Sequence, residues 1–307
     1  MDLLHRRCGI YTKPAVVQRI LDAVDWTDDA DLSSARLLEP AAGAGIFVTQ
    51  AARRLVASCR QYGVRISAAA LSHRILAFEL HADAVAEARA NTKETLIKLG
   101  VHHKTAETCA NAWIKNADFL LAGPPTRPFT HVVGNPPYVR WSKIPARLKQ
   151  SYERSLPRDV TGGDLFVPFL DRALEQLEPA GRCGFVCSDR WRYMGFADSF
   201  RRKWLPAMEV HSEASIPAAE AFTSSVLSYP SILIASKRQA RISARPGCRR
   251  QDGNTLAQLG HVVRVGPALG HTPAFVLGLD EDDVEPELLR PWLGRSQIAE
   301  GKIGLRG

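Results

Sequence analysis

The stretch Arg36-Leu37-Leu38-Glu39-Pro40-Ala41-Ala42-Gly43-Ala44-Gly45 decides the fold. A short apolar run ends in a carboxylate, a turn of small residues with glycines follows, and apolar residues then return at helical spacing at Phe47, Ala51, Leu55 and Ala57. This is strand, tight turn, helix. Glycines in such a turn let the backbone approach a cofactor with no Cβ in the way. Downstream, Arg74-Ile75-Leu76-Ala77-Phe78-Glu79 is a second strand-like run, followed by a helix around residues 82–99 that stops at Gly100. A further strand, Phe129 to Gly134, ends at Asn135-Pro136-Pro137. After it the sequence predicts a helix over 165–178 closed by Pro179-Ala180-Gly181, a strand through Cys187, a basic helix around 197–205 and a strand over Ser231–Ala235. Strands alternating with helices in this way imply a mostly parallel sheet with helices on both faces, a doubly wound α/β domain.

The 307 residues, 45% hydrophobic and 23% charged, are those of a folded soluble chain. Disordered and membrane classes do not fit. The N-terminus, Met1-Asp2-Leu3-Leu4-His5-Arg6-Arg7, lacks the apolar stretch of a signal peptide, and no apolar run approaches the roughly 20 residues of a membrane span. A cytoplasmic location without a membrane partner is the expectation. Lysine and arginine exceed aspartate and glutamate by 40 − 32 = +8, which favours a polyanionic partner such as nucleic acid. The cysteines (Cys8, Cys59, Cys109, Cys183, Cys187, Cys248) are scattered without CxxC pairs, so neither a metal site nor a disulfide framework is indicated. Cys183 and Cys187 are expected on one face of a strand as small buried residues. Residues 237–260 carry Lys237, Arg238, Arg241, Arg245, Arg249 and Arg250 among Pro and Gly, and read as a linker or loop. The expected division is a catalytic domain over 1–240, a basic linker over 241–260 and a short C-terminal extension over 261–307.

In a doubly wound sheet, ligands bind beyond the carboxyl ends of the strands. Three such ends carry acids. Glu39 enters the glycine turn. Glu79 can accept both hydroxyls of a ribose. Asp118-Phe119 can accept from an adenine amino group and pack against its ring. Glu79 lies 40 positions after Glu39, farther than the roughly 20 of a compact unit, so an extra loop near residues 61–72 is expected. One such acid also serves as a helix N-cap or a surface carboxylate; three at successive strand ends point to a ligand.

The fourth strand end carries Asn135-Pro136-Pro137-Tyr138. Two prolines fix φ and remove two N–H donors, so the carbonyls around them are held rigidly. An amino group conjugated to a purine ring is a poor nucleophile because its lone pair is delocalised. The Asn135 side-chain oxygen and the Pro136 carbonyl can bind its two hydrogens and favour a pyramidal nitrogen, while Tyr138 stacks on the base. Positioning and electrostatics then supply the catalysis without a metal. The plainer reading is an Asn-Pro turn closing a strand.

Glu39 to Gly45, Glu79, Asn116-Ala117-Asp118-Phe119 and Asn135 to Tyr138, preceded by Gly9-Ile10-Tyr11-Thr12-Lys13-Pro14, resemble in order the motifs of the gamma-class DNA adenine-N6 methyltransferases of restriction-modification systems, Type IIG-like. The resemblance runs from about residue 9 to residue 236, through Gly163-Asp164-Leu165-Phe166, Gly184-Phe185-Val186 and Ser188-Asp189-Arg190-Trp191. It implies the seven-stranded fold of the class I S-adenosylmethionine-dependent methyltransferases, with that compound as cofactor and double-stranded DNA as partner. The implied activity is site-specific methylation of a flipped-out adenine at N6. The cofactor residues it implies are Tyr11, Thr12, Glu39, Pro40, Ala41, Gly43, Gly45, Glu79, Asp118, Phe119 and Asn135; within this set Thr12 holds the methionine carboxylate. The implied catalytic residues are Asn135, Pro136 and Tyr138, with Tyr138 and Phe196 stacking on the base; Phe200 is close to the latter in sequence. Arg140 and Lys143, with Trp141, Arg147 and Lys149 nearby, and Arg190 are expected on DNA phosphates.

The family usually continues into a sizeable domain that reads the target sequence. Here Pro273 to Leu277 and Leu289 to Gly294 resemble only its beginning, so the expectation is a truncated domain over 261–307 or a separate recognition chain. A nuclease domain ahead of residue 9, which some relatives carry, is not expected, and methylation without cleavage is the expectation. Methyltransferases of release-factor glutamine or of ribosomal RNA guanine also carry the Asn-Pro-Pro-Tyr loop, although they normally lack the motif at Tyr11 to Pro14. A partner-dependent DNA-binding remnant is a third reading.

Overall fold

The structure is a computed structural model in which residues 12–223 and 230–239 are described. The readings placed on Tyr11, on the linker 241–260 and on the extension 261–307 lie outside the described residues. Strand β1 (Leu37–Glu39) is three residues long and wholly buried. It pairs in parallel on one side with β2 (Ile75–Glu79) and on the other with β4 (Phe129–Gly134). Strand β3 (Ile114–Asn116) extends the sheet beyond β2, and β5 (Leu177–Ser188) extends it beyond β4, both again in parallel. Strands β7 (Pro230–Lys237) and β6 (Met208–Ser215) complete the order β3-β2-β1-β4-β5-β7-β6 with antiparallel pairings. The expected mostly parallel, seven-stranded α/β sheet is what forms.

Two apolar layers cover the sheet, and the strands divide their side chains between them. Leu37, Val133, Val186, Ile232 and Ile234 face one cluster; Leu38, Val132, Phe185, Cys187 and Leu233 face the other. This is the period-two alternation of strands buried on both faces. The first layer is built by α1 (Pro14–Ala23), α2 (Ile46–Gln61), the four-residue α3 (Ala68–Leu71), α4 (Ala82–Lys98) and α5 (His103–Trp113). The second is built by α6 (Ala146–Ser155), α7 (Phe166–Glu175) and α8 (Asp198–Trp204). Cys183 and Cys187 sit together in the second layer as expected, and burial pushes the Cys183 thiol up to about 12. A short helix, α9 (Ala218–Ala221), follows β6. Among the described residues no helix is long and apolar enough to cross a membrane.

Two expectations change. The helix expected over 165–178 ends at Glu175, and Pro179-Ala180-Gly181 lies inside β5 instead of capping a helix. Pairing with β4 jumps there from Phe129↔Leu177 to His131↔Arg182, with Ala180 at φ +64°, so the three residues form a bulge. Pro and Gly punctuate a bulge as readily as a helix end. The extra loop allowed for at 61–72 contains α3, capped by the Ser67 hydroxyl, which accepts from the Ala70 N–H.

Helix α1 lies directly on β5. A Cβ on Gly184 would stand 2.5 Å from Ile20 Cγ2 and 3.0 Å from Val24 Cγ1. Gly184→Val must therefore displace α1, costing about 1–3 kcal/mol. Gly195→Ala, where a Cβ would meet nothing within 4 Å, should stay within about 0.5 kcal/mol of the parent. Urea unfolding checks this; equal midpoints for the two variants would contradict the packing described.

Candidate active site

Parallel pairing sets the ends of β1, β2 and β4 on one edge of the sheet, and the chain leaves each end with a chemically committed residue: Glu39, Glu79 and Asn135. One cavity opens there. It is lined by Glu39, Pro40, Ala41 and Gly43 from the first turn, Glu79 and Asp118-Phe119 from the next two strand ends, Asn135 from the fourth, and Thr12 from the N-terminal segment. Gly45 lies outside the lining. With φ +85° it starts α2, and a Cβ there would come within 3.0 Å of the Ala88 Cβ, so it lets α2 and α4 meet.

Glu39 is 1% exposed, and its Oε2 has no hydrogen-bond partner among the described residues. Burial, with the neighbouring Glu79 charge adding to it, pushes its carboxyl well above the usual range, only partly opposed by the Val48 backbone N–H. Glu79 is held differently. Its Oε2 accepts the Gly43 N–H and its Oε1 the His81 N–H, each at 2.9 Å, tying the glycine turn to the end of β2. Each oxygen keeps a second lone pair for a hydroxyl donor.

Asp118 sits on the turn after β3. Its Oδ1 accepts the Leu120 N–H at 2.9 Å and its Oδ2 the Tyr152 hydroxyl at 2.7 Å. Desolvation raises its pKa, opposed by those donors and by Arg172. Phe119 faces the cavity while packed between Phe78 and Phe169, at ring-centroid distances of 5.4 and 5.6 Å. Sequence reasoning did not identify Leu148 and Tyr152 of α6, or Leu165 and Phe169 beside and on α7, as lining residues. The four-residue spacing of Leu148 and Tyr152 was a usable signal, since it puts both on one face of a helix.

The Asn135–Tyr138 tetrapeptide is tied to the N-terminal segment. Asn135 Nδ2 donates to Thr12 Oγ1 at 3.1 Å. Thr12, 4% exposed, is bridged to Phe222, and the Lys13 N–H donates to Ala221 O in α9. Pro137 lines the cavity, whereas Pro136 is buried and lies outside the lining. The Tyr138 ring turns to Phe222 and Phe166, 5.9 and 6.4 Å away, and its buried hydroxyl finds no hydrogen-bond partner among the described residues; burial holds the phenol neutral.

Phe196 packs on Gly163. Its ring fills the space a Cβ on Gly163 would need, 2.4 Å from that position, and the Arg190 guanidinium stands 5.4 Å from its centroid. Arg190 also pairs with the mostly buried Asp164 at 2.8 Å. The segment Gly163 to Leu165 is in turn bonded to the chain just after Tyr138, through Trp141 N–H to Gly163 O and Leu165 N–H to Val139 O. Arg190 is thus engaged in fixing this loop, while Arg140 and Lys143 are exposed beside it. Of the two aromatics that the structure sets against Tyr138, Phe166 and Phe222, the second was not singled out from the sequence.

Residues 60–221 match the family described as Eco57I restriction-modification methylase, more than half of the chain. The Type II methyltransferase M.XhoI of Xanthomonas vasicola is 36% identical over 242 residues, spanning 78% of this chain and 44% of that protein. M.PaeR7I of Pseudomonas aeruginosa is 35% identical, spanning 99% of this chain and 62% of that protein. The chain spans about half the length of these relatives. Among solved structures, a type I restriction-modification system methyltransferase subunit from Streptococcus thermophilus aligns at a TM-score of 0.52 and 20% identity, over 76% of this chain and 45% of that one. A Listeria monocytogenes protein described as a class I S-adenosylmethionine-dependent methyltransferase aligns at 0.52 and 12% identity, over 77% and 63%. The fold is that of the class I S-adenosylmethionine-dependent methyltransferases, and the chain belongs to the Eco57I restriction-modification methylase family.

Proposed function

We propose that this chain transfers a methyl group from S-adenosylmethionine to N6 of a flipped-out adenine in duplex DNA. One observation carries the reading above the others: Asn135, at the mouth of the strand-end cavity, is hydrogen-bonded to Thr12, a residue that itself lines the cofactor side of that cavity.

The cavity fits the cofactor on its own chemistry. The bare Oε2 of Glu39 is a buried acceptor, and the methionine ammonium is a donor that satisfies it and offsets its charge. Thr12, accepting from Asn135, keeps its hydroxyl hydrogen for the methionine carboxylate. Glu79 offers lone pairs to the ribose hydroxyls, and Asp118 with Phe119 takes the adenine. When bound, S-adenosylmethionine supplies a methyl group on a cationic sulfur.

The protein's part in transfer is placement and polarity. With its nitrogen committed to Thr12, the Asn135 amide presents its oxygen as the acceptor end. That oxygen and the Pro136 carbonyl accept hydrogen bonds from the two hydrogens of the target amino group and favour the pyramidal nitrogen that can attack, the methylated nitrogen afterwards releasing one proton to solvent. Tyr138 stacks on the extruded base. Phe196 is the second aromatic wall that the resemblance implies. Arg140 and Lys143, exposed just after the loop, are assigned to phosphates. The proposed partners are duplex DNA and a domain or separate chain that reads the target sequence; the net charge of +8 supports the first.

Incubation with labelled cofactor and, separately, duplex DNA, RNA and release factor tests the acceptor. Label should enter DNA and fall by at least about 100-fold for Asn135→Ala, the scale for losing a preorganised polar group. Label in RNA or protein instead would overturn the assignment.

Glu39 gives a second test. Because its folded pKa lies above the usual range, its cost to the cofactor-free protein is absent at low pH. The cost grows as pH rises past the unfolded-chain value of roughly 4.3 and is complete above the folded value. Glu39→Gln should therefore melt higher than the parent at pH 8, with the difference closing as pH falls, while gaining less from added cofactor. A variant that melts lower at pH 8 would contradict this.

A further inference from the structure

We propose that Tyr152 is a positioning residue that aims Asp118 at the amino group of the cofactor's adenine, making the site selective for a 6-amino over a 6-oxo purine. The inference rests on the reading of the cavity as an S-adenosylmethionine site and adds a determinant from a different part of the chain. Tyr152 is 2% exposed and lies on α6, the first α-helix after the catalytic loop. Its ring packs 6.1 Å from Trp141, and Leu148, one turn earlier, lines the same cavity. The Trp141 indole N–H reaches Glu153 of α6, so the helix is held by the segment that starts at Asn135.

The hydrogen-bond geometry gives Tyr152 its effect. Asp118 is pinned at both oxygens, Oδ1 by the Leu120 N–H at 2.9 Å and Oδ2 by the Tyr152 hydroxyl at 2.7 Å. A carboxylate pinned in this way cannot rotate about its last torsion, and the remaining lone pairs keep a fixed direction. The groups acting on it are the Tyr152 hydroxyl from α6, Arg172 from α7, whose guanidinium stands 5.7 Å from the Phe119 centroid, and the backbone N–H groups of Leu120 and Leu121. All of these favour the ionised form, against a desolvation that favours the protonated one. Ionisation decides what Asp118 can read. A carboxylate accepts from an amino group and repels a carbonyl oxygen, whereas a protonated carboxyl can donate to the carbonyl and loses the distinction. With Tyr152 removed, desolvation is less opposed and the carboxyl is free to turn.

Titration calorimetry with S-adenosylhomocysteine and S-inosylhomocysteine, on the full chain and on Tyr152→Phe, tests this without turnover. The parent should bind the adenosyl compound at least roughly tenfold more tightly, the scale of one hydrogen bond to a charged group. Tyr152→Phe should lose most of that ratio, chiefly through weaker adenosyl binding. Asp118→Asn should lose the preference too. A Tyr152→Phe ratio equal to the parent's overturns the proposal, including the case in which both affinities fall together, which is what a merely structural role gives. Retained preference in Asp118→Asn also overturns it. If the parent binds neither compound, the cofactor reading fails and takes the inference with it; this is distinct from a parent that discriminates and a variant that discriminates equally well.

Discussion

Parallel pairing of β1 with both β2 and β4 is the constraint from which the site follows. A parallel ladder sends neighbouring strands off the same edge, so Glu39, Glu79 and Asn135 come to line one cavity although 96 positions separate the first from the last. Any antiparallel pairing among these three strands would send one of those residues to the opposite edge. The antiparallel pairs that do occur, β5 with β7 and β7 with β6, lie on the far side of β5 from β1. The price is one fully buried carboxylate, Glu39, beside a half-buried one, Glu79.

The protein meets that cost unevenly. Glu79 takes two backbone N–H groups and so stiffens the glycine turn. Glu39 keeps one oxygen without a hydrogen-bond partner among the described residues, a destabilising feature that a cationic ligand would relieve. Strain or unsatisfied polarity concentrated where a ligand binds is the usual trade of stability for function. The Asn135–Thr12 hydrogen bond joins the Asn135–Tyr138 loop to the N-terminal segment, and the anchoring of Thr12 and Lys13 on Phe222 and Ala221 brings a segment from the far end of β6 into the same place.

Much of this was legible because it rests on local chemistry. The run from Arg36 to Gly45 carries its own strand, turn and helix, and the acids at strand ends could be located before any contact was known. What escaped was long-range or unpatterned. Strand β6 is an edge strand, exposed along most of its length and bulged between Val210 and Ser212, so no alternation marks it. Helix α5 did carry a pattern, Ala106, Cys109, Ala110 and Trp113 at i, i+3, i+4 and i+7, that went unread. The Pro179-Ala180-Gly181 bulge carries the same residues as a helix stop. The contact of Phe222 with Tyr138, 84 positions apart, could not be read in sequence, because only the fold brings the two together. Tyr152 and Asp118, 34 positions apart, meet only through the fold.

The central claim is that the strand-end cavity holds S-adenosylmethionine with its methionine end at Glu39 and Thr12, beside Asn135. A crystal structure with S-adenosylhomocysteine bound tests it most directly. The account predicts the amino group within hydrogen-bond distance of Glu39 Oε2, the carboxylate at Thr12, the ribose hydroxyls on Glu79 and the adenine at Asp118 and Phe119. A ligand bound outside this cavity, or in it with the two ends reversed, would contradict it.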